Sequence, residues 1–402
     1  MHAHAIKVLQ KLLLHNLHIH RRRLTILLDA VSATLSISHL SLTTLGYALS
    51  RTCCAKHRIK CIDRLLGNHR LHAQRSEIYG VITRLLIDHL DQPIILVDWS
   101  PLSPDQRWQL LRAAIAIQGR SLTLYEEVHP QALLNSPRVH RAFLKQLSTL
   151  LSDDCQPIIV TDAGYKNPWF KTTEALGWHW LGRVRARVYL TRPDDTTWIS
   201  AKQLYSLATT QPQCLGTMRL SRSNPLLCRV VLLRRQPKGR KHKTLKGTAV
   251  ASKASRTCAQ RASDPWLLVA SMSLSEKTPR QLVALYGKRM QIEEGFRDSK
   301  SQTLGLGLYP IRNHHRKRVE NLLLIAALSL LLIYLAGLYA KQQTWSRGYQ
   351  VNTCRDRPVL SVITLGILWI SEPSVRHRLP ALSVLLAILR EAIRLAHEDE
   401  SA

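Results

Sequence analysis

Apolar positions at Leu24, Leu27, Leu28, Val31 and Leu35 recur with the three-to-four spacing of one helical face. Ser41-Leu-Thr-Thr then places a hydroxyl where a further helix needs a cap. Between residues 55 and 68, Lys56, Arg58, Lys60 and Arg64 interleave with Ile59, Ile62, Leu65 and Leu66, which predicts a basic amphipathic helix. From residue 91 the pattern changes. Pro93-Ile-Ile-Leu-Val-Asp98 and Pro157-Ile-Ile-Val-Thr-Asp162 are near-duplicate apolar runs, each ending in an aspartate. Residues 111–117 and 121–128 flank Gly119 as a hairpin. Residues 139–151 and 169–176 read as helices, and 178–190 as one more strand. The order β-β-β-α-β-α-β predicts an α/β fold with a mixed sheet and helical crossovers. Residues 186–275 lose the helical period and read as β-rich, and helix signals resume at Pro279.

Residues 321–340 form an apolar run long enough to cross a bilayer. His314, His315, Arg316, Lys317 and Arg318 precede it like a positive-inside flank. Taken alone, the run fits a membrane span or a helix buried on all sides of a large core equally well. The 402 residues allow two or three domains, and 45% apolar content excludes wholesale disorder. Lys and Arg number 57 against 27 Asp and Glu, a net charge of +30, which implies a polyanionic partner. Residues 1–75 hold twelve Lys/Arg against Asp29 and Asp63, and in this basic segment Lys56, Arg58, Lys60 and Arg64 read as DNA backbone and groove contacts or as a solvated basic face. Residues 234–261 carry ten Lys/Arg and no acid, the composition of a basic loop. The eight cysteines are scattered without a Cys-x-x-Cys pair, which fits a reducing cytoplasm and excludes a disulfide scaffold. No phosphate loop is present, so no nucleotide cofactor is expected.

Two strand-borne aspartates side by side would repel unless a cation sat between them. Hard oxygen ligands suit Mg²⁺, with Mn²⁺ as a substitute. Either aspartate alone reads first as a turn former or helix cap, and it is the repeated strand and the basic charge that favour the metal reading. Further along, Tyr286, Arg289, Glu293, Arg297 and Lys300 fall within about 80° of arc on one helical face at about 100° per residue. That face offers one carboxylate for metal and three cations for phosphate oxygens. An ordinary surface helix laced with salt bridges has the same appearance.

The spacing Tyr-x2-Arg-x3-Glu-x6-Lys, with two aspartates upstream on strands, resembles the signature of insertion-sequence-four DDE transposases. The resemblance extends over most of the chain. It implies an RNase H-like mixed-sheet catalytic core at 76–345 with a β-rich insertion at 186–275. Helical domains would flank it, 1–75 binding DNA ends and 346–402 contacting a second copy in a homodimer. It implies Asp98, Asp162 and Glu293 as metal-binding catalytic triad, with Tyr286, Arg289, Arg297 and Lys300 on DNA. Trp266 and Met290 would serve base flipping. Ser299 stands where such a helix is expected to be apolar. The apolar run would be an internal helix of the catalytic domain, so no membrane is expected. The implied activity is cut-and-paste transposition: binding of terminal inverted repeats, cleavage of both strands through a hairpin, and joining of 3′ ends to target DNA. The expected location is the bacterial cytoplasm, at the nucleoid when DNA-bound. The alternatives are an RNase H-like nuclease without strand transfer, an inactive DNA-binding remnant, or a basic membrane protein.

Overall fold

The computed structural model describes residues 2–185, 187–235, 264–309, 311–351, 359–372 and 380–398. The basic loop expected at 234–261 therefore lies almost wholly outside the described residues. Up to residue 155 and again from Met290 onward, the chain forms one compact unit; residues 156–289 form a second. This division does not follow the expected one at 1–75, 76–345 and 346–402. The N-terminal helices, the first three strands and the C-terminal helices share one unit.

The first unit opens with α1 (His2–Asn16), α2 (Arg21–Ile37), α3 (Leu42–Ala48), α4 (Ala55–Leu66) and α5 (His69–Ile87). The spacing that predicts α2 is realised in packing: Leu24, Leu27, Leu28, Val31 and Leu35 are all buried. Ser41 caps α3, its hydroxyl accepting from the Thr44 amide at 3.2 Å. Three antiparallel strands follow, β1 (Ile94–Pro101), β2 (Trp108–Ile117) and β3 (Arg120–Pro130), in the order β3-β2-β1. Gly119, at φ +74°, makes the tight β2–β3 turn. The ladder sets Asp98 opposite Arg112 and Arg112 opposite Glu126. Asp98 is thus in mid-strand. The expectation that the strand ends there fails because pairing continues to Pro101 opposite Gln109. After α6 (Pro137–Ser148) the chain leaves this unit and returns at the Met290–Lys300 helix.

The apolar run is the Arg316–Gln342 helix, long and apolar enough to span a membrane, with 94% of its most apolar window buried inside the protein. It packs on α2, α4, α5, β3 and the Val362–Ser371 and Leu382–Glu398 helices. Those neighbours cover nearly its whole circumference, which is why it lacks the polar stripe of a surface helix. It crosses the Val362–Ser371 helix at two glycines. A methyl on Gly337 would stand 1.9 Å from the Val362 carbonyl, and one on Gly366 2.0 Å from that of Ile333.

In the second unit, β4 (Ile158–Thr161) runs parallel to β5 (His179–Val184), joined by α7 (Asn167–Ala175). The expected strand over 178–190 is two, β5 and β6 (Tyr189–Thr191). The region expected to be β-rich also holds β7 (Ile199–Ser200), α8 (Ala201–Leu204), β8 (Gln213–Leu220), β9 (Leu226–Leu233) and β10 (Trp266–Ala270). Strand order here is β4-β5-β10-β9-β8-β6-β7, mixed in direction. The Pro279–Lys288 helix closes the unit behind a capping box in which Thr278 accepts from the Gln281 amide.

Candidate active site

Asp98 is half-buried on β1, and its Oδ1 accepts the Trp99 backbone N–H at 2.8 Å. The Trp99 indole in turn donates to His140 Nε2 at 3.0 Å, and its ring meets His129 edge-on at 5.7 Å. Burial pushes the His140 imidazole down to about 4, and His129 adds to the shift. A neutral ring is what allows Nε2 to accept. Lys300 donates to the Ser100 hydroxyl and to the Pro101 carbonyl at 2.6 Å, beside the same strand. Burial and the Arg112 charge bring its ammonium down to about 7, against the pull of Asp98.

Glu293 is exposed in the first turn of the Met290–Lys300 helix, where the helix dipole favours a carboxylate. Glu294 faces elsewhere, taking Arg120 at 3.0 Å and Arg297 at 2.7 Å. Arg297, expected on DNA, is thus engaged in an ion pair one turn along its own helix. Ser299 is buried. Its hydroxyl accepts both terminal nitrogens of Arg112 at 3.1 Å and donates to the Gly295 carbonyl at 3.0 Å. Arg112 Nε pairs with Glu126 at 2.7 Å, and Glu126 also receives the Tyr79 hydroxyl at 2.9 Å. A polar side chain at 299 is therefore required by the buried guanidinium on β2.

Asp162, in the second unit, follows β4 directly and is half-buried, its Oδ1 accepting the Gly164 N–H at 2.7 Å. Tyr286 is buried there, edge-on to Trp266 at 4.8 Å. Burial pushes its hydroxyl pKa up while Arg289 and Arg183 pull it down, and Asp162 adds to the rise. Trp266 is only 9% exposed, with the Arg235 guanidinium 4.4 Å over its ring. It is packed as a core tryptophan, whereas Met290 is exposed at 45%. The single helix expected over 286–300 is interrupted. Tyr286 sits near the end of Pro279–Lys288, Arg289 lies between the helices, and Glu293 and Lys300 belong to Met290–Lys300.

The N-terminal candidates separate as well. Lys56 and Arg64 are exposed on α4. Arg58 is half-buried and donates to the Leu49 carbonyl at 3.2 Å, and Lys60 pairs with Asp63 at 3.0 Å. Carboxylates are suitable donors for Mg²⁺ or Mn²⁺. Among the described residues, however, no group of three His, Cys, Asp or Glu side chains stands close enough to hold an ion.

A family model described as the transposase DDE domain matches residues 89–330, more than half of the chain. The chain belongs to the DDE transposases. No curated protein matches it significantly. For a DDE transposase the mixed α/β architecture is the RNase H-like core, and DNA is the partner that the +30 charge anticipates. The family typically uses a divalent metal. Two structural residues of this transposase escape sequence reading. His140 is one, since a lone histidine on a helix gives no signal. Arg112 is the other; the one trace of it in the sequence is a serine at 299, where an apolar residue is expected, and the partner of that serine is seen only in the fold.

Proposed function

We propose that the chain is a cut-and-paste transposase of the insertion-sequence-four type, similar in its Tyr-Arg-Glu-Lys motif to the transposase of transposon ten. In this reading it binds terminal inverted repeats as a homodimer and cuts both strands through a hairpin. It then joins the 3′ ends to target DNA in a Mg²⁺-dependent reaction in the cytoplasm, without a membrane. Asp98, Asp162 and Glu293 are the proposed catalytic carboxylates. Tyr286, Arg289 and Lys300 are the proposed DNA contacts beside them. The observation that carries this reading is the family match over 89–330, which encloses all of these residues.

The test is cleavage and joining of end-containing DNA in Mg²⁺. Asp98→Asn, Asp162→Asn and Glu293→Gln should each lower cleavage by orders of magnitude and leave end binding intact. Near-normal cleavage by any one of them removes that residue from the site.

A further inference from the structure

The N-termini of α2 and α5 converge with one side of α4 on a cleft of ≈ 640 Å³, within the first unit. Arg22, Arg23, Arg51, Arg64 and Arg70 line it, and none of the described lining residues is acidic. No lysine is among those described lining residues either. Arginine is the residue suited to gripping phosphate oxygens with two parallel N–H donors. Two of the five are held by the protein itself: Arg51 pairs with Asp29 at 2.6 Å and Arg23 donates to Gln74. Arg23 Nε is nevertheless buried with no hydrogen-bond partner among the described residues. Arg22, Arg64 and Arg70 are exposed.

The placement is electrostatically the wrong way round for the protein alone. Neither α2 nor α5 has an acid in its first turn, and His20, at the N-cap of α2, makes no capping hydrogen bond. Arginines in the first turn of a helix add positive charge to the positive end of its dipole, where anions are preferred. Two such ends, with three arginines between them, share one concavity with Arg64 of α4 and with Arg51 from the segment before it. An anion entering the cleft relieves that repulsion.

We propose that this cleft seats consecutive backbone phosphates of duplex DNA. The proposal rests on the transposase reading for the identity of the polyanion. It moves the contact from the Lys56 and Lys60 side of α4, where Lys60 is paired with Asp63, to the side bearing His57, Cys61 and Arg64. Because phosphates carry no sequence information, the cleft supplies affinity and register, and selectivity for the ends is read elsewhere.

The experiment uses the full chain, with fluorescence anisotropy on an end duplex and a random duplex across a salt series. Arg22→Gln with Arg70→Gln should weaken binding to both duplexes at least tenfold at low salt and leave their ratio unchanged. The slope of log affinity against log salt should become shallower by about 2, near 0.9 per lost phosphate contact. Arg22→Lys with Arg70→Lys should keep the wild-type slope, which separates lost charge from lost folding. If wild-type protein binds the ends while the double Gln variant keeps both affinity and slope, the cleft assignment falls and the transposase reading stands. Loss of end selectivity with an unchanged slope would overturn the phosphate assignment in favour of base reading. Wild-type protein that binds neither duplex would overturn both the cleft and the reading on which it rests.

Discussion

Ser299 and His140 each hold one polar partner in place, and both can be tested singly. Ser299→Ala removes the oxygen that accepts from Arg112 and leaves buried guanidinium hydrogens unmatched, a cost of about 1–3 kcal/mol. Chemical denaturation should register it, and a loss near zero would mean that Arg112 is satisfied by Glu126 and the Gly295 carbonyl alone. His140, at about 4 in the fold, protonates near its ordinary value of about 6.5 when unfolded. The folded-state value is the lower one. Its contribution is therefore complete above pH 6.5 and is lost as pH falls towards 4. The loss should be about 1–3 kcal/mol over that window. His140→Gln keeps an acceptor for the Trp99 indole and abolishes the titration, so its stability should depend less on pH there. Equal pH dependence in both proteins would remove the assignment. Trp266 is a different case: its burial makes Trp266→Ala a core truncation costing about 3–5 kcal/mol. A specific defect in hairpin formation can be read only from Trp266→Phe, measured where the variant remains folded.

Elements were legible where a local rule governs them. The β2–β3 hairpin, the Ser41 cap and the α2 face follow from Gly119, one hydroxyl and one apolar spacing. The two aspartates were visible because Pro-Ile-Ile recurs before both. What the sequence hid depends on partners distant along the chain. The burial of nearly all of β2 leaves no alternation to mark where it begins, at Trp108 rather than at 111. The interruption at Arg289 leaves the helical spacing of Tyr286, Glu293 and Lys300 intact while dividing them between two helices. Two elements carry predictions of their own. Gly366→Val would push a side chain into the Ile333 carbonyl, and a stability loss of several kcal/mol is expected. Glu320, in the second turn of the Arg316–Gln342 helix, receives His72 at 2.6 Å, Arg316 at 3.0 Å and the Val128 amide at 3.1 Å. Despite burial these hold its carboxyl down to about 2. That stability is present above the ordinary carboxylate range and is lost as pH falls through about 2, so Glu320→Gln should flatten the acid limb of the unfolding curve.

At the scale of the whole molecule, an excess of thirty positive charges makes every DNA measurement a measurement of salt as well, and affinities compared at different ionic strengths have no common meaning. The buried Arg316–Gln342 helix has a consequence in time. The chain is made from its N-terminus, so this helix leaves the ribosome before Val362–Ser371 and Leu382–Glu398, which cover part of it. For that interval the newborn polypeptide presents an apolar helix behind the basic residues Arg316, Lys317 and Arg318, the features by which an insertion machinery selects its clients. Escape from that fate depends on how promptly the last forty residues arrive. A messenger truncated after codon 345 should yield a product that pellets with membranes or aggregates, while the full-length product does not.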